Sequence, residues 1–288
     1  NGEIAYPLFG DDGLSTYKSF VLRNAGNDWE QGSKYRDAAI QQVLRGKVDL
    51  ETQDFQPVVM YLNGEYWGLI NMRERFGEDY FAGYYDYADD IDLLKYCNDS
   101  SYNFRAQKGD TKRLGELMTY LANNSMSDDA NYQYVKNHYI DVDNMINYYI
   151  AQLFSQNTDW PTNNMRMWRP RTENGKFRFP WYDADFGYGL WGGDASTNPW
   201  ENFDKSGYKK KTSVAMLNYM LENEEFKAEF VQRFYAMMAT VYQSSIFKSI
   251  VNNIENQLSA ERSALMDEWT CTVNGGDSWG YGAGGMKS

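Results

Sequence analysis

Hydrophobic and polar positions along this chain change period twice. Residues 18–24, Lys-Ser-Phe-Val-Leu-Arg-Asn, read as a strand. Ser33 then stands where an N-cap belongs for a helix running from Lys34 to about Arg45, closed by Gly46. Two strand-like runs, Pro57–Leu62 and Glu65–Met72, flank Asn63-Gly64. Asn-Gly supplies the positive φ angles of a type I′ turn, so the two runs are predicted to pair as a hairpin. This β-rich portion is expected to end near Tyr80.

Beyond Tyr80 the pattern turns helical. Asp110–Leu121 reads as one helix. A clearer one places Met145, Ile146, Tyr149, Ile150, Leu153 and Phe154 on a 3.6-residue period behind a cap at Asp141 or Asp143. That stripe is a buried face, and the helix runs straight into Asn157-Thr-Asp159. Met165–Arg169 and Lys176–Phe179, around a turn at Thr172-Glu-Asn-Gly175, suggest a second hairpin. Residues 190–211, rich in Gly, Asn and aromatics, are expected to form a long ordered loop. Amphipathic helical stretches follow at 213–223, 225–242 and 246–269, and the Gly-rich residues 273–288 read as a mobile tail. The expected organisation is a small β-rich part over 1–80, a larger, mainly helical part over 81–272, and the tail.

Composition narrows the function. The chain has 288 residues, 42% of them hydrophobic, which suits a globular protein with real cores. No apolar run is long enough for a membrane span. The chain opens at Asn1 without Met or a basic-then-apolar leader, as expected of a mature or excised fragment. A net charge of −12 argues against a nucleic-acid-binding face and means that a phosphate ligand needs local cations or a metal. Cys97 and Cys271 make no zinc pattern, although they allow one disulfide. The single histidine, His138, reads as a solvated helix residue, which disfavours His-dependent serine or cysteine hydrolysis.

The chemistry concentrates in two acidic segments, Asp159-Trp-Pro-Thr-Asn-Asn164 and Asp183-Ala-Asp185-Phe186-Gly187. Protein kinases use an Asp with an Asn five positions later, then an Asp-Phe-Gly, to orient a hydroxyl and to hold Mg²⁺. Asn164, Asp183 and Asp185 offer the hard oxygen ligands Mg²⁺ prefers, and Asp159 can orient or deprotonate an acceptor hydroxyl. On an extended segment Asp183 and Asp185 share one face. The plainer alternative is that Asp159 and Asn164 make Asx turns and that the later pair solvates a strand end. Candidate phosphate cations are Arg23, Arg73, Arg75, Arg166, Arg169 and Lys209–Lys211, and Glu74 can pair with a cation, with Arg23 or Arg73 the first choices. No Gly-x-Gly-x-x-Gly loop precedes the acidic segments, as it does in a kinase, and no Val-Ala-Ile-Lys strand occurs, which excludes an ordinary protein kinase.

Several segments, taken in order, resemble the spore coat protein H (CotH) kinase family. They are Phe20-Val-Leu-Arg23-Asn24 with Asp28, Arg36-Asp37, Pro57 to Glu74, Asn157-x-Asp159-Trp-Pro-x-Asn-Asn164 and Trp181-Tyr-Asp183-Ala-Asp185-Phe-Gly187. The resemblance implies an α+β, atypical two-lobed protein-kinase-like fold. It implies transfer of the ATP γ-phosphate to Ser/Thr hydroxyls of extracytoplasmic or cell-surface proteins, with ATP and Mg²⁺ (or Mn²⁺) as cofactors. Asp159 matches the family's catalytic Asp, and Asn164 with Asp183 or Asp185 its metal positions. Arg23, Asn24 and Glu74 match its signature segments, as ligand-facing or ion-pair residues, and Arg73 joins Arg23 and Glu74 as an expected cofactor-binding residue. The family's upstream stretch, with a Lys that closes over the nucleotide, has no counterpart in these residues, so the small lobe is expected to be truncated here.

Two other classes compete. A degenerate kinase-like surface module without catalysis would use Trp160, Trp168, Trp191 and Trp200 to stack on sugars or peptides, in a chain 17% aromatic. A glycoside hydrolase would use Asp159 and one of the later Asp residues as its carboxylate pair, although Asn164 and the clustered Asp pair favour metal.

Overall fold

A computed structural model of the chain describes residues 2–29, 33–85, 90–190, 195–201 and 207–269. Its strands are β1 (Phe20–Arg23), β2 (Phe55–Leu62), β3 (Glu65–Glu74), β4 (Ile91–Tyr96), β5 (Phe104–Lys108) and β6 (Arg166–Pro170). The helices are α1 (Arg36–Leu44), α2 (Glu78–Tyr85), α3 (Lys112–Asn123), α4 (Asp129–His138), α5 (Val142–Ser155), α6 (Thr212–Met220), α7 (Glu224–Thr240) and α8 (Ser244–Trp269). The class is α+β, with antiparallel sheets. Two compact units divide the chain. One gathers residues 1–43 and 53–75 with α8, and the other 44–52 with 76–243.

In the first unit the sheet order is β1-β3-β2. Asn63 and Gly64 take φ of 53° and 86°, the turn that returns β2 onto β3 with Val58 opposite Ile70. The core joins Tyr35, Ala38 and Ala39 to Phe55 of β2 and to Ile254 and Leu258 of α8. Ile250, Val251, Ile254 and Leu258 repeat at helical spacing, so one stripe of α8 covers this core.

The start of α1 corrects the expected cap. The Ser33 hydroxyl donates to Asp28 instead of capping the helix. Asp28, buried, accepts the Arg36 backbone N–H at 3.1 Å and the Arg36 Nε at 2.9 Å, and so serves as the cap from eight residues away. Gly46, at φ 67°, ends the helix as expected.

The second unit holds a second sheet, order β5-β4-β6, inside the stretch expected to be mainly helical. β4 is almost wholly buried, and a strand buried on both faces lacks the polar–apolar alternation that marks a strand in sequence. Phe76, Tyr80 and Phe81 pack on Ile91, Leu93 and Trp168, the Phe81 and Trp168 rings stacked at 4.2 Å. α5 is buried nearly all round, and Asp141 caps it by accepting the Asn144 N–H at 3.3 Å. The expected second hairpin survives only as a bridge: Trp168 and Arg178 exchange backbone bonds of 3.0 and 2.9 Å, while the main partner of β6 is β4. Its turn needs Gly175, where a Cβ would lie 1.9 Å from the Pro170 carbonyl oxygen.

A buried carboxylate ties these parts together. Glu51 accepts from Trp168 Nε1 (3.0 Å), Arg178 Nε (2.5 Å), Tyr85 OH (3.0 Å) and Asn144 Nδ2 (3.0 Å), and its carbonyl accepts the Trp181 N–H at 2.8 Å. Asn144 Oδ1 in turn accepts the Phe179 N–H at 2.7 Å. The segment leading to Asp183 is thereby fixed alongside α5.

Of the stretch expected to be a long loop, 191–194 and 202–206 lie outside the described residues, and the remainder is mostly turns. Cys271 and the expected tail lie outside them as well. His138 is exposed on α4, stacked on Tyr134 with ring centroids 4.4 Å apart. Among the described residues no helix is long and apolar enough to cross a membrane.

Candidate active site

α5 ends on Gln156, a left-handed C-cap at φ 49° that turns the chain sharply. Asn157, buried, holds the turn from both sides. Its Nδ2 donates to Gln152 Oε1 at 3.0 Å, and its Oδ1 accepts the Asp159 N–H at 3.3 Å. The Trp160–Pro161 peptide is cis, and the Pro161 carbonyl accepts the Ser213 hydroxyl of α6 at 2.8 Å. Asp159 therefore sits on a loop anchored at both ends.

The side chain of Asp159 is half-buried and accepts from two amides, Asn163 Nδ2 at 2.8 Å and Asn164 Nδ2 at 2.6 Å. Both bonds go to Oδ2, which leaves Oδ1 for an incoming hydroxyl. A carboxylate only accepts, so Asn164 must turn its NH₂ toward Asp159 and its carbonyl oxygen elsewhere. Burial raises the Asp159 pKa above the usual carboxylate value, and the Asp183 charge adds to the rise; the Asn163 bond partly offsets it. Asp183 is thus close enough to act electrostatically on Asp159.

Direct bonds join the two acidic loops. Thr158 N–H donates to the Phe186 carbonyl at 3.4 Å, and Tyr188 N–H to the Ser155 carbonyl at 2.8 Å. Gly187 closes a turn onto Ala184 at 3.0 Å. Asp159, Asn164, Asp183 and Asp185 therefore lie in one region of the second unit. Their backbones carry an unusual density of left-handed, non-glycine residues: Gln156, Asn164, Asp183 and Tyr188, at φ 49–55°. Each costs on the order of 1–3 kcal/mol, and such residues cluster where function demands the geometry.

One expectation is corrected. Asp183 takes φ 55°, so the 183–185 segment is not extended and strand alternation does not set where its two carboxylates point. Asp185 is buried and Asp183 half-buried. Among the described residues no three His, Cys, Asp or Glu side chains form a metal-holding group. The set expected from the sequence, Asn164, Asp183 and Asp185, would mix an amide oxygen with two carboxylates. That all-oxygen chemistry fits a hard divalent cation completed by phosphate oxygens and water.

Of the remaining sequence candidates, Arg23, Arg73, Glu74 and Arg75 belong to the first unit, and Arg166, Arg169 and Lys209–Lys211 to the second. Arg73 and Glu74 are consecutive on β3 and face opposite sides of the sheet. Arg73 is buried and pairs with Asp37 at 2.7 Å. Glu74 is buried and accepts the Asp54 N–H at 2.8 Å. Arg23 lies opposite Asn71, while Phe20 lies opposite Glu74. Of the aromatics weighed as a stacking platform, Trp160 and Trp168 are core, Trp200 is exposed, and Trp191 lies outside the described residues. Sequence reasoning quoted but gave no role to Asn163, whose place four positions after Asp159 was its signal, and Asp37, which takes Arg73.

No curated protein matches the chain. The family model described as CotH kinase protein matches residues 1–274, nearly the whole length, and takes in both acidic loops. On that match the chain belongs to the CotH kinase protein family.

Proposed function

We propose that this chain is an atypical kinase that moves the γ-phosphate of ATP to Ser/Thr hydroxyls of extracytoplasmic or surface proteins. The observation that carries this reading is the doubly amide-held Asp159, with Asp183 beside it on a loop bonded to its own. Asn163 and Asn164 fix the carboxylate orientation, and its open oxygen accepts the proton of the substrate hydroxyl. Burial and the Asp183 charge make Asp159 a stronger base than a solvated Asp. Asn164, Asp183 and Asp185 would hold Mg²⁺ or Mn²⁺, which when bound neutralises the phosphate charge. In a chain of net charge −12, nucleotide binding should depend strictly on the divalent ion.

The test pairs calorimetry with transfer of radiolabelled γ-phosphate. Asp159→Asn should keep Mg-ATP affinity and lose about 10²–10⁴ in transfer rate, the usual effect of losing a general base. Asp185→Ala should lose both. Full transfer by Asp159→Asn would remove Asp159 from the base role. A wild-type chain that binds neither ATP nor divalent metal would favour a degenerate, non-catalytic binding module.

A further inference from the structure

Phosphoryl transfer needs cations on the phosphates, and no Gly-x-Gly-x-x-Gly loop or Val-Ala-Ile-Lys strand precedes the acidic loops in these residues. Three arginines are buried among the described residues: Arg73, Arg166 and Arg169. Arg73 is held by Asp37 at 2.7 Å, and Arg169 lies 3.3 Å from Asp92. Arg166 differs. The Nε of all three is sealed from solvent without a hydrogen-bond acceptor, but for Arg166 alone no carboxylate among the described residues lies within ion-pair distance. Its only described polar interaction beyond the strand ladder is with a ring: the guanidinium lies 3.9 Å from the centroid of Tyr182. A guanidinium stays charged at any physiological pH, so burying it unpaired is costly unless an anion completes it.

Arg166 also has company. In the sheet register it stands directly opposite Lys95 of β4, and Lys95 stands directly opposite Arg105 of β5. Directly opposed residues project on the same face with Cβ atoms about 5 Å apart, where like charges repel. Three cations thus form a row across three strands, running from buried Arg166 through half-buried Lys95 to exposed Arg105. On a chain of net charge −12 such a row is an anion site or a loss of stability. Its buried end adjoins the active loops. Arg166 is two residues past Asn164, and Tyr182, on which it stacks, immediately precedes Asp183.

We infer that the Arg166–Lys95–Arg105 row binds the polyphosphate of the nucleotide, with the Arg166 fork as its inner contact. This rests on the kinase reading of the same site. The probe is tripolyphosphate with Mg²⁺, titrated by calorimetry beside Mg-ATP into the full chain. Arg166→Met keeps the apolar stem over Tyr182 and should weaken tripolyphosphate about ten- to a hundred-fold, the scale of a lost charge-assisted bond. Lys95→Met should weaken it less, Arg105→Ala least, and wild-type affinity should fall steeply with salt. If Arg166→Met does not fold, Arg166→Lys, which keeps the charge and loses the fork, and Lys95→Met carry the test. Unchanged tripolyphosphate affinity in these variants overturns the inference even where the wild type transfers phosphate. So does a wild type that binds no tripolyphosphate, or one that binds an oligoglutamate peptide more tightly. A wild type that binds tripolyphosphate through Arg166 and transfers none overturns the kinase reading alone.

Discussion

Replacing Glu51 tests what holds the active loops in place. Its side chain is fully buried, with Oε1 accepting from Trp168, Arg178 and Tyr85 and Oε2 from Asn144. Glu51→Ala leaves an indole N–H, a phenol and one edge of a guanidinium facing a void. Arg178 keeps Asp49 and Asp141, which limits the damage to its charge. Breaking one partner of a buried pair costs roughly 3–5 kcal/mol, and about 4 kcal/mol is expected here. Glu51→Gln is the sharper variant. It can present its oxygen to the three donors on one side, but then sets an NH₂ against Asn144, whose own NH₂ retains the Asp49 carbonyl at 3.3 Å. The loss is one bond plus the charge against Arg178, about 2 kcal/mol. Against a typical total stability of roughly 5–15 kcal/mol, both losses are large. Urea unfolding followed by tryptophan fluorescence reads them. The shift belongs in the transition of the unit carrying Glu51, about 1–2 M lower in midpoint for the alanine variant. If both variants unfold within 0.5 kcal/mol or so of wild type, the carboxylate is not what fixes segment 178–181 to α5, and the reasoning fails.

Three further outcomes follow from particular contacts. Asp28→Ala should cost about 2 kcal/mol and Ser33→Ala under about 1, since the carboxylate and not the hydroxyl caps α1; equal losses in urea titrations would reverse that assignment. Gly175→Ala should cost roughly 2–3 kcal/mol, because a methyl cannot share the space of the Pro170 carbonyl; a thermal midpoint within a degree or so of wild type would refute the close approach. The raised pKa of Asp159 means that the folded chain binds its proton more tightly than the unfolded one. Its contribution to stability is present below the usual carboxylate pKa and is lost as pH rises through the folded value. In metal-free buffer, Asp159→Asn should therefore gain stability relative to wild type as pH rises through that window, and a pH-independent difference would contradict the shift.

Local chemistry was legible in the sequence and non-local completion was not. Asn63-Gly64 needs only its own two residues to specify a turn, and the α5 stripe needs only its own period. The two acidic loops were legible as neighbours because α5 delivers one and the Gly175 turn returns toward the other. Asp28 as a cap was hidden, because nothing in the seven intervening residues says that Asp28 meets the start of α1. β4 was hidden because its partner β6 lies some seventy residues on and its residues are buried on both faces. Glu51 gave no signal: an acidic residue in a short connecting stretch reads as solvated until Trp168, Arg178 and Asn144 arrive around it. The left-handed turn at Asp183 was invisible for another reason, since nothing but its tertiary setting selects that conformation over the extended one.

The division of the chain has a consequence for its synthesis. The first unit is assembled from three stretches, and its core needs Ile254 and Leu258, while the second unit is complete by residue 243. On a ribosome, Tyr35, Ala38, Ala39 and Phe55 emerge early and then wait through the whole of the second unit for the helix that covers them. The portion made first is therefore the portion finished last. During elongation its uncovered apolar stripe is the surface most in need of a chaperone, and a premature stop anywhere before Ile254 leaves that stripe bare.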